Sequence, residues 1–89
     1  MEIAVNRKKI GIIGGSFDPI HNGHLETAEF VYQQLGLEKM IFIPAYIAPH
    51  KIGMEYAPAE HRYQMTLLAI QEKPHFCVSD MELKRKGVS

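Results

Sequence analysis

Apolar positions along this chain fall into runs of two kinds. Residues 9–14 (KIGIIG) form a short stretch rich in β-branched side chains and ended by two glycines, the pattern of a buried strand. From about Asn22 the spacing changes. Leu25, Ala28, Val31 or Tyr32, and Leu35 recur at intervals of three to four, with Glu26 and Glu29 off the stripe. That predicts a helix, stopped by a left-handed glycine at Gly36. Residues 39–43 (KMIFI) are a second apolar run, halted by Pro44. Strand, helix and strand in this order predict a crossover unit with parallel pairing.

The next stretch, 45–56, holds Pro49 and Gly53 and shows no period. Loops of this length in a compact domain usually carry function or motion. Pro58 stands where a first-turn proline belongs and predicts a helix over 59–70, with Met65, Leu68 and Ala69 facing inward. Residues 76–78 (FCV) form a third strand, and the charged stretch 81–86 leaves its element type open. Gly87-Val88-Ser89 resembles a loop that delivers a serine N-cap to a further helix. The fold class is therefore α/β: a Rossmann-like, doubly wound parallel sheet that is incomplete. Residues 1–89 are expected to be the N-terminal βαβαβ part of one longer domain. A three-stranded half-sheet leaves an edge and apolar surface uncovered, which makes a homo-oligomer an expectation.

Composition narrows the function classes. The chain has 89 residues, 46% of them hydrophobic and 22% charged, with a formal net charge of zero. This balance argues against a nucleic-acid partner. No stretch reaches transmembrane length, and the short mixed start, Ile3-Ala4-Val5 and then Arg7-Lys8-Lys9, lacks the order of a signal peptide. Cys77 is the single cysteine, which fits a reducing, cytoplasmic setting. Together with Met40, Met65 and Met81 it is expected in the core.

The chemistry concentrates in GGSFDPIHNGHL, residues 14–25. A glycine-rich turn after a first strand, leading into a helix, brings backbone N–H groups close to a ligand, and the helix terminus adds a positive field. Phosphate is the natural guest. The glycines match neither G-x-G-x-x-G nor G-x-x-x-x-G-K-S/T. His21 and His24 can stand in for the P-loop lysine, because imidazole donates to phosphate and carries charge when protonated. The pair also has the spacing of half a metal site. It offers only two ligands, however, and His50, His61 and His75 are scattered; no protein-held metal is expected.

This stretch resembles the signature of the nucleotidyltransferase superfamily. His21-Asn22-Gly23-His24 matches its H/T-x-G-H hallmark, and Gly15-Ser16-Phe17-Asp18-Pro19 its G-S/T-F-D/N-P. Three further segments are similar to those of the bacterial nicotinate mononucleotide adenylyltransferases. Pro49-His50-Lys51 resembles their P-P-H-K/R element, with Ala48 in place of the first proline. The run from Arg62 to Met65, Leu68 and Ala69 resembles R-x-x-M-x-x-L-A. Asp80 to Ser89 resembles D-x-E-L-x-R-x-G-x-S, with Val88 where proline is frequent. The family's second phosphate motif, I-S-S/T-T-x-x-R, does not occur in this sequence.

The resemblance implies transfer of AMP from ATP to nicotinate mononucleotide, with Mg²⁺ arriving on ATP. It implies catalytic roles for His21, His24 and Lys51. Gly15, Ser16 and Phe17 would offer backbone groups near the α-phosphate, Gly23 would leave room for adenosine, and Asp18 would either meet a ribose or shape the turn with Pro19. Phe17 also suits core packing, and Arg62 a structural ion pair. A pantetheine-phosphate adenylyltransferase, a cytidylyltransferase or a non-catalytic nucleotide-binding fragment are the alternatives. His21, where the pantetheine enzymes usually carry threonine, weighs against the first.

Overall fold

The computed structural model describes residues 2–17, 19–46 and 57–85. Among the described residues four strands form one sheet in the order β1-β2-β3-β4: β1 (Glu2–Val5), β2 (Ile10–Gly15), β3 (Lys39–Pro44) and β4 (Phe76–Val78). Strands β2, β3 and β4 are mutually parallel, and the helices α1 (Asn22–Gln34) and α2 (Ala59–Ile70) form the crossovers between them. A short helix, α3 (Met81–Arg85), follows β4. The element order expected from the apolar periods is thus present, and Gly36 ends α1 with φ +59°.

One strand was not foreseen. β1 pairs antiparallel with β2, Ile3 opposite Ile13 and Val5 opposite Gly11. β1 therefore covers the β2 edge, one of the two edges of the expected three-stranded half-sheet. The hairpin turn contains no glycine. Lys9 instead takes the left-handed conformation at φ +62°, and the Asn6 side-chain oxygen accepts the N–H groups of Lys8 (2.9 Å) and Ile10 (3.0 Å).

Register decides which face of the sheet is dry. Gly11 pairs with Met40, Ile13 with Phe42, and Gly15 with Pro44, while Met40 also pairs with Phe76. Those positions share one face, because side chains alternate along a strand. Both helices cover it. Ile13, Met40, Phe42 and Phe76 form one buried cluster with Phe17, Leu37, Ala28 of α1 and Ile70 of α2. The Phe42 ring lies 5.7 Å from that of Phe17 and 5.2 Å from that of Phe76. On the opposite face Ile12, Ile41 and Ile43 are only half-buried. Among the described residues no helix is long and apolar enough to cross a membrane.

Several side chains depart from the expected core. Leu35 and Leu68 are exposed. The inward stripe of α2 is instead Arg62, Thr66 and Ile70, one turn apart on a single face. A polar residue held by hydrogen bonds can occupy a core position that hydropathy alone would not give it. Met81 is exposed on α3, and Cys77, opposite Ile41 on the less covered face, is half-buried. The expectations at 47–56 and 86–89 lie outside the described residues.

Candidate phosphate site at the strand ends

Strands β2 and β3 end side by side, joined past their last rung by the Ala45 N–H donating to Gly15 O (2.9 Å). In parallel sheets ligands bind beyond these carboxyl ends. The chain leaves β2 through Ser16 and Phe17 and enters α1 at His21, whose extended backbone (φ −145°, ψ 176°) makes it the N-cap.

The two histidines start the helix together. His21 Nδ1 accepts the Gly23 N–H at 3.0 Å, and His24 Nδ1 accepts the His21 N–H at 3.1 Å. This is a reciprocal capping box in which imidazoles replace the usual hydroxyl and carboxylate. Both donors are backbone N–H groups, so each Nδ1 must carry a lone pair. A neutral ring then bears its proton on Nε2. The rings lie 4.0 Å apart at 30°, and each keeps one Nε2–H donor. Burial, and then the charge of His21, hold His24 below the ordinary imidazole value of 6.5. The first turn of α1 contains no acidic residue, so no side-chain carboxylate there opposes an incoming anion at the positive helix end.

Gly23 has a local reason to lack a side chain. A Cβ there would sit 2.8 Å from His21 Cε1 and 3.0 Å from its Nδ1. The room it leaves is filled first by the His21 ring. Phe17 is buried, as expected, and its backbone is left-handed at φ +48°, a conformation that bulky residues rarely hold unless their surroundings impose it. Its ring meets that of His24 edge-on, at 5.1 Å and 86°. Core packing and site geometry therefore share this residue.

Arg62 of α2 is 1% exposed. Its Nη1 donates to Ser16 O (2.8 Å) and Ala45 O (2.7 Å), and its Nε to Ala57 O (2.9 Å). The ion pair expected of it gives no hint of these carbonyls. One guanidinium joins the loop after β2, the loop after β3 and the approach to α2. The sequence signal for this was available: a lone arginine on the inward stripe of a helix must bond to something.

The structure thus brings Gly15, Ser16, Phe17, His21, Gly23 and His24 to one end of the sheet. Asp18 and Lys51 lie outside the described residues. A cavity of about 300 Å³ adjoins the strand ends, lined by Gly14, Gly15, Ile43 and Ala45 with Glu2 and Glu82. Its two carboxylates make it an unfavourable seat for phosphate, in contrast to the histidine side. A larger cavity, about 440 Å³, runs along α1 from Asn22 to Gln33 beside Lys73 and is lined by neither His21 nor His24. Among the described residues no group of three or more His, Cys, Asp or Glu side chains could hold a metal ion.

Fold and site together define a class: the first winding of a doubly wound α/β sheet, with an H-x-G-H helix start at its carboxyl edge. The chain belongs to the cytidylyltransferase-like family, whose sequence model matches residues 12–88. It is 47% identical, over its whole length, to a probable nicotinate-nucleotide adenylyltransferase of Desulfitobacterium hafniense, of which it spans 43%. The same identity and full coverage hold against the probable nicotinate-nucleotide adenylyltransferase of Moorella thermoacetica, of which it spans 41%. A protein of that name from Clostridium botulinum is 49% identical over 78 residues, 88% of this chain and 39% of the relative. The chain spans less than half the length of each.

Proposed function

We propose that the whole protein transfers the adenylyl group of ATP to nicotinate mononucleotide, in the synthesis of NAD. The observation that carries this reading is the reciprocal histidine cap. Two Nε2–H donors stand together at the N-terminus of α1, beyond the ends of β2 and β3, with no acid in the first helical turn. The substrate assignment rests on the names of the relatives.

In the reaction, an oxygen of the acceptor's phosphate attacks the α-phosphorus of ATP. A new P–O bond forms, the α–β anhydride bond breaks, and pyrophosphate leaves. The acceptor oxygen is already ionised at neutral pH, so the site needs neither a strong base nor a protein nucleophile. It must align two phosphates and stabilise the charge that develops between them. His21 and His24 donate to the phosphates from Nε2, and the Ser16–Phe17 turn that follows Gly15 offers backbone N–H groups to the α-phosphate. Gly23 leaves room for adenosine, Asp18 meets a ribose or shapes the turn with Pro19, and Lys51 supplies a cation to the phosphates. Mg²⁺ would arrive on ATP, held mainly by phosphate and water rather than by protein side chains, and would supply neutralisation of the triphosphate charge.

The test is an acceptor and donor panel with the full-length protein. ATP with nicotinate mononucleotide should yield the dinucleotide and pyrophosphate at the highest kcat/KM. Preference for phosphopantetheine as acceptor, or for CTP as donor, would refute this reading.

A further inference from the structure

The Ser16–Phe17 peptide is held through the Ser16 carbonyl by a group that no part of the proposed chemistry uses. Arg62 is buried, yet its guanidinium is aimed at backbone: Ser16 O, Ala45 O and Ala57 O, at 2.8, 2.7 and 2.9 Å. These carbonyls come from three separate segments, two of which leave the carboxyl ends of β2 and β3. A planar fork can hold several acceptors in fixed directions, which a lysine ammonium cannot reproduce.

The bond to Ser16 O has a geometric consequence. In a trans peptide the C=O and the following N–H point in opposite directions. A Ser16 carbonyl held inward toward α2 therefore turns the Phe17 N–H away from α2. The next backbone torsion is the left-handed φ of +48° at Phe17, which returns the Phe17 ring to the core and sets it edge-on against His24.

We propose that Arg62 is a positioning residue of the phosphate site: by holding the Ser16 carbonyl, it orients the Phe17 N–H toward the substrate phosphate and fixes the Phe17 ring that backs His24. It touches no substrate and acts through the Ser16–Phe17 turn. One turn further along the same buried face, Thr66 donates its hydroxyl to Arg62 O at 2.8 Å. The inference rests on the adenylyltransferase reading, and the experiment separates the two.

The full-length wild-type protein is titrated with Mg-ATP while the Phe17 amide and the Arg62 side-chain N–H signals are followed by ¹⁵N NMR. Both should move, with the midpoint found for ATP by calorimetry. ATP that binds while either signal stays still overturns the positioning role and leaves the adenylyltransferase reading intact. Absence of ATP binding overturns that reading and the positioning role with it. In Arg62→Lys, KM for ATP should rise roughly tenfold or more, the scale of one hydrogen bond to a charged group. KM for nicotinate mononucleotide should change far less, and guanidinium added to Arg62→Ala should recover part of the loss. A folded Arg62→Lys protein with wild-type KM for ATP contradicts the proposal. If neither variant folds, the wild-type titration decides.

Discussion

His24 Nδ1 accepts the backbone N–H of His21 at 3.1 Å, while His21 Nδ1 accepts the N–H of Gly23. Each ring thus satisfies a backbone donor that the helix start would otherwise leave without a partner. The structural duty falls on Nδ1, which starts the helix, and this leaves Nε2 for the proposed phosphate contact. That division means the two duties can be separated by substitution.

Replacing His21 tests the structural half. His21→Ala removes the cap of α1 and should lower stability by about 1 kcal/mol, the usual cost of a lost N-cap. His21→Ser keeps an N-cap acceptor and should recover most of that loss without recovering ATP affinity. Chemical denaturation of the three proteins measures the first effect. Equal stability of His21→Ala and wild type would show that the ring does not cap the helix in solution.

The pH dependence of stability follows from His24. Its folded pKa lies below the ordinary 6.5, because of burial first and the charge of His21 second. Above the ordinary value the ring is neutral whether the chain is folded or unfolded, and it contributes no slope. As pH falls below that value the unfolded chain takes up a proton that the folded one resists, so stability drops until the folded pKa is passed. Denaturation curves between pH 8 and pH 5 should therefore show a smaller fall in His24→Gln than in wild type. Identical slopes would contradict the assignment.

A polar contact ties the middle of α1 to the residue before β4. Glu29 Oε1 lies 2.8 Å from His75 Nε2, just before β4, and the His75 ring packs 4.4 Å from that of Tyr32. The hydrogen bond from His75, more than any other cause, holds the Glu29 carboxyl below its usual value. A depressed carboxylate adds stability above its unfolded pKa, and that stability is lost as pH falls through the folded one. Glu29→Gln should thus cost about 1 kcal/mol at pH 7, and the difference from wild type should vanish in acid. Neither residue has a part in the proposed phosphate site, so KM for ATP should not change.

Much of the fold was legible because the apolar periods are plain. The run 39–43 alternates Met40 and Phe42 inward with Ile41 outward, and Ala28 lies on the predicted stripe of α1. What escaped was set by tertiary contact. β1 hides behind a turn without glycine, where Lys9 accepts a left-handed backbone and Asn6 supplies the missing hydrogen bonds. Leu68 was expected inward on hydropathy, but Arg62 and Thr66 took that side of α2 because the carbonyls of Ser16, Ala45 and Ala57 await a donor there. At the site, the residues were legible and their division of labour was not. The three-residue spacing of His21 and His24 is that of a capping box, yet the box is normally built from serine or threonine and glutamate. The left-handed backbone of Phe17 has no sequence signal at all, since glycine is the residue that usually marks it.

The central claim is that the Nε2–H groups of His21 and His24 hold the phosphates of ATP, and His24→Glu tests it most directly. Glutamate at this position is the customary partner in a capping box, so the start of α1 is preserved or strengthened. The same change replaces an N–H donor with a negative charge facing the phosphates. The measurement is the ATP dissociation constant of the full-length protein and this variant by calorimetry, with thermal unfolding as the control. The account predicts a melting temperature at or above wild type and ATP affinity reduced about a hundredfold or more. Wild-type ATP affinity in a folded His24→Glu protein would contradict it.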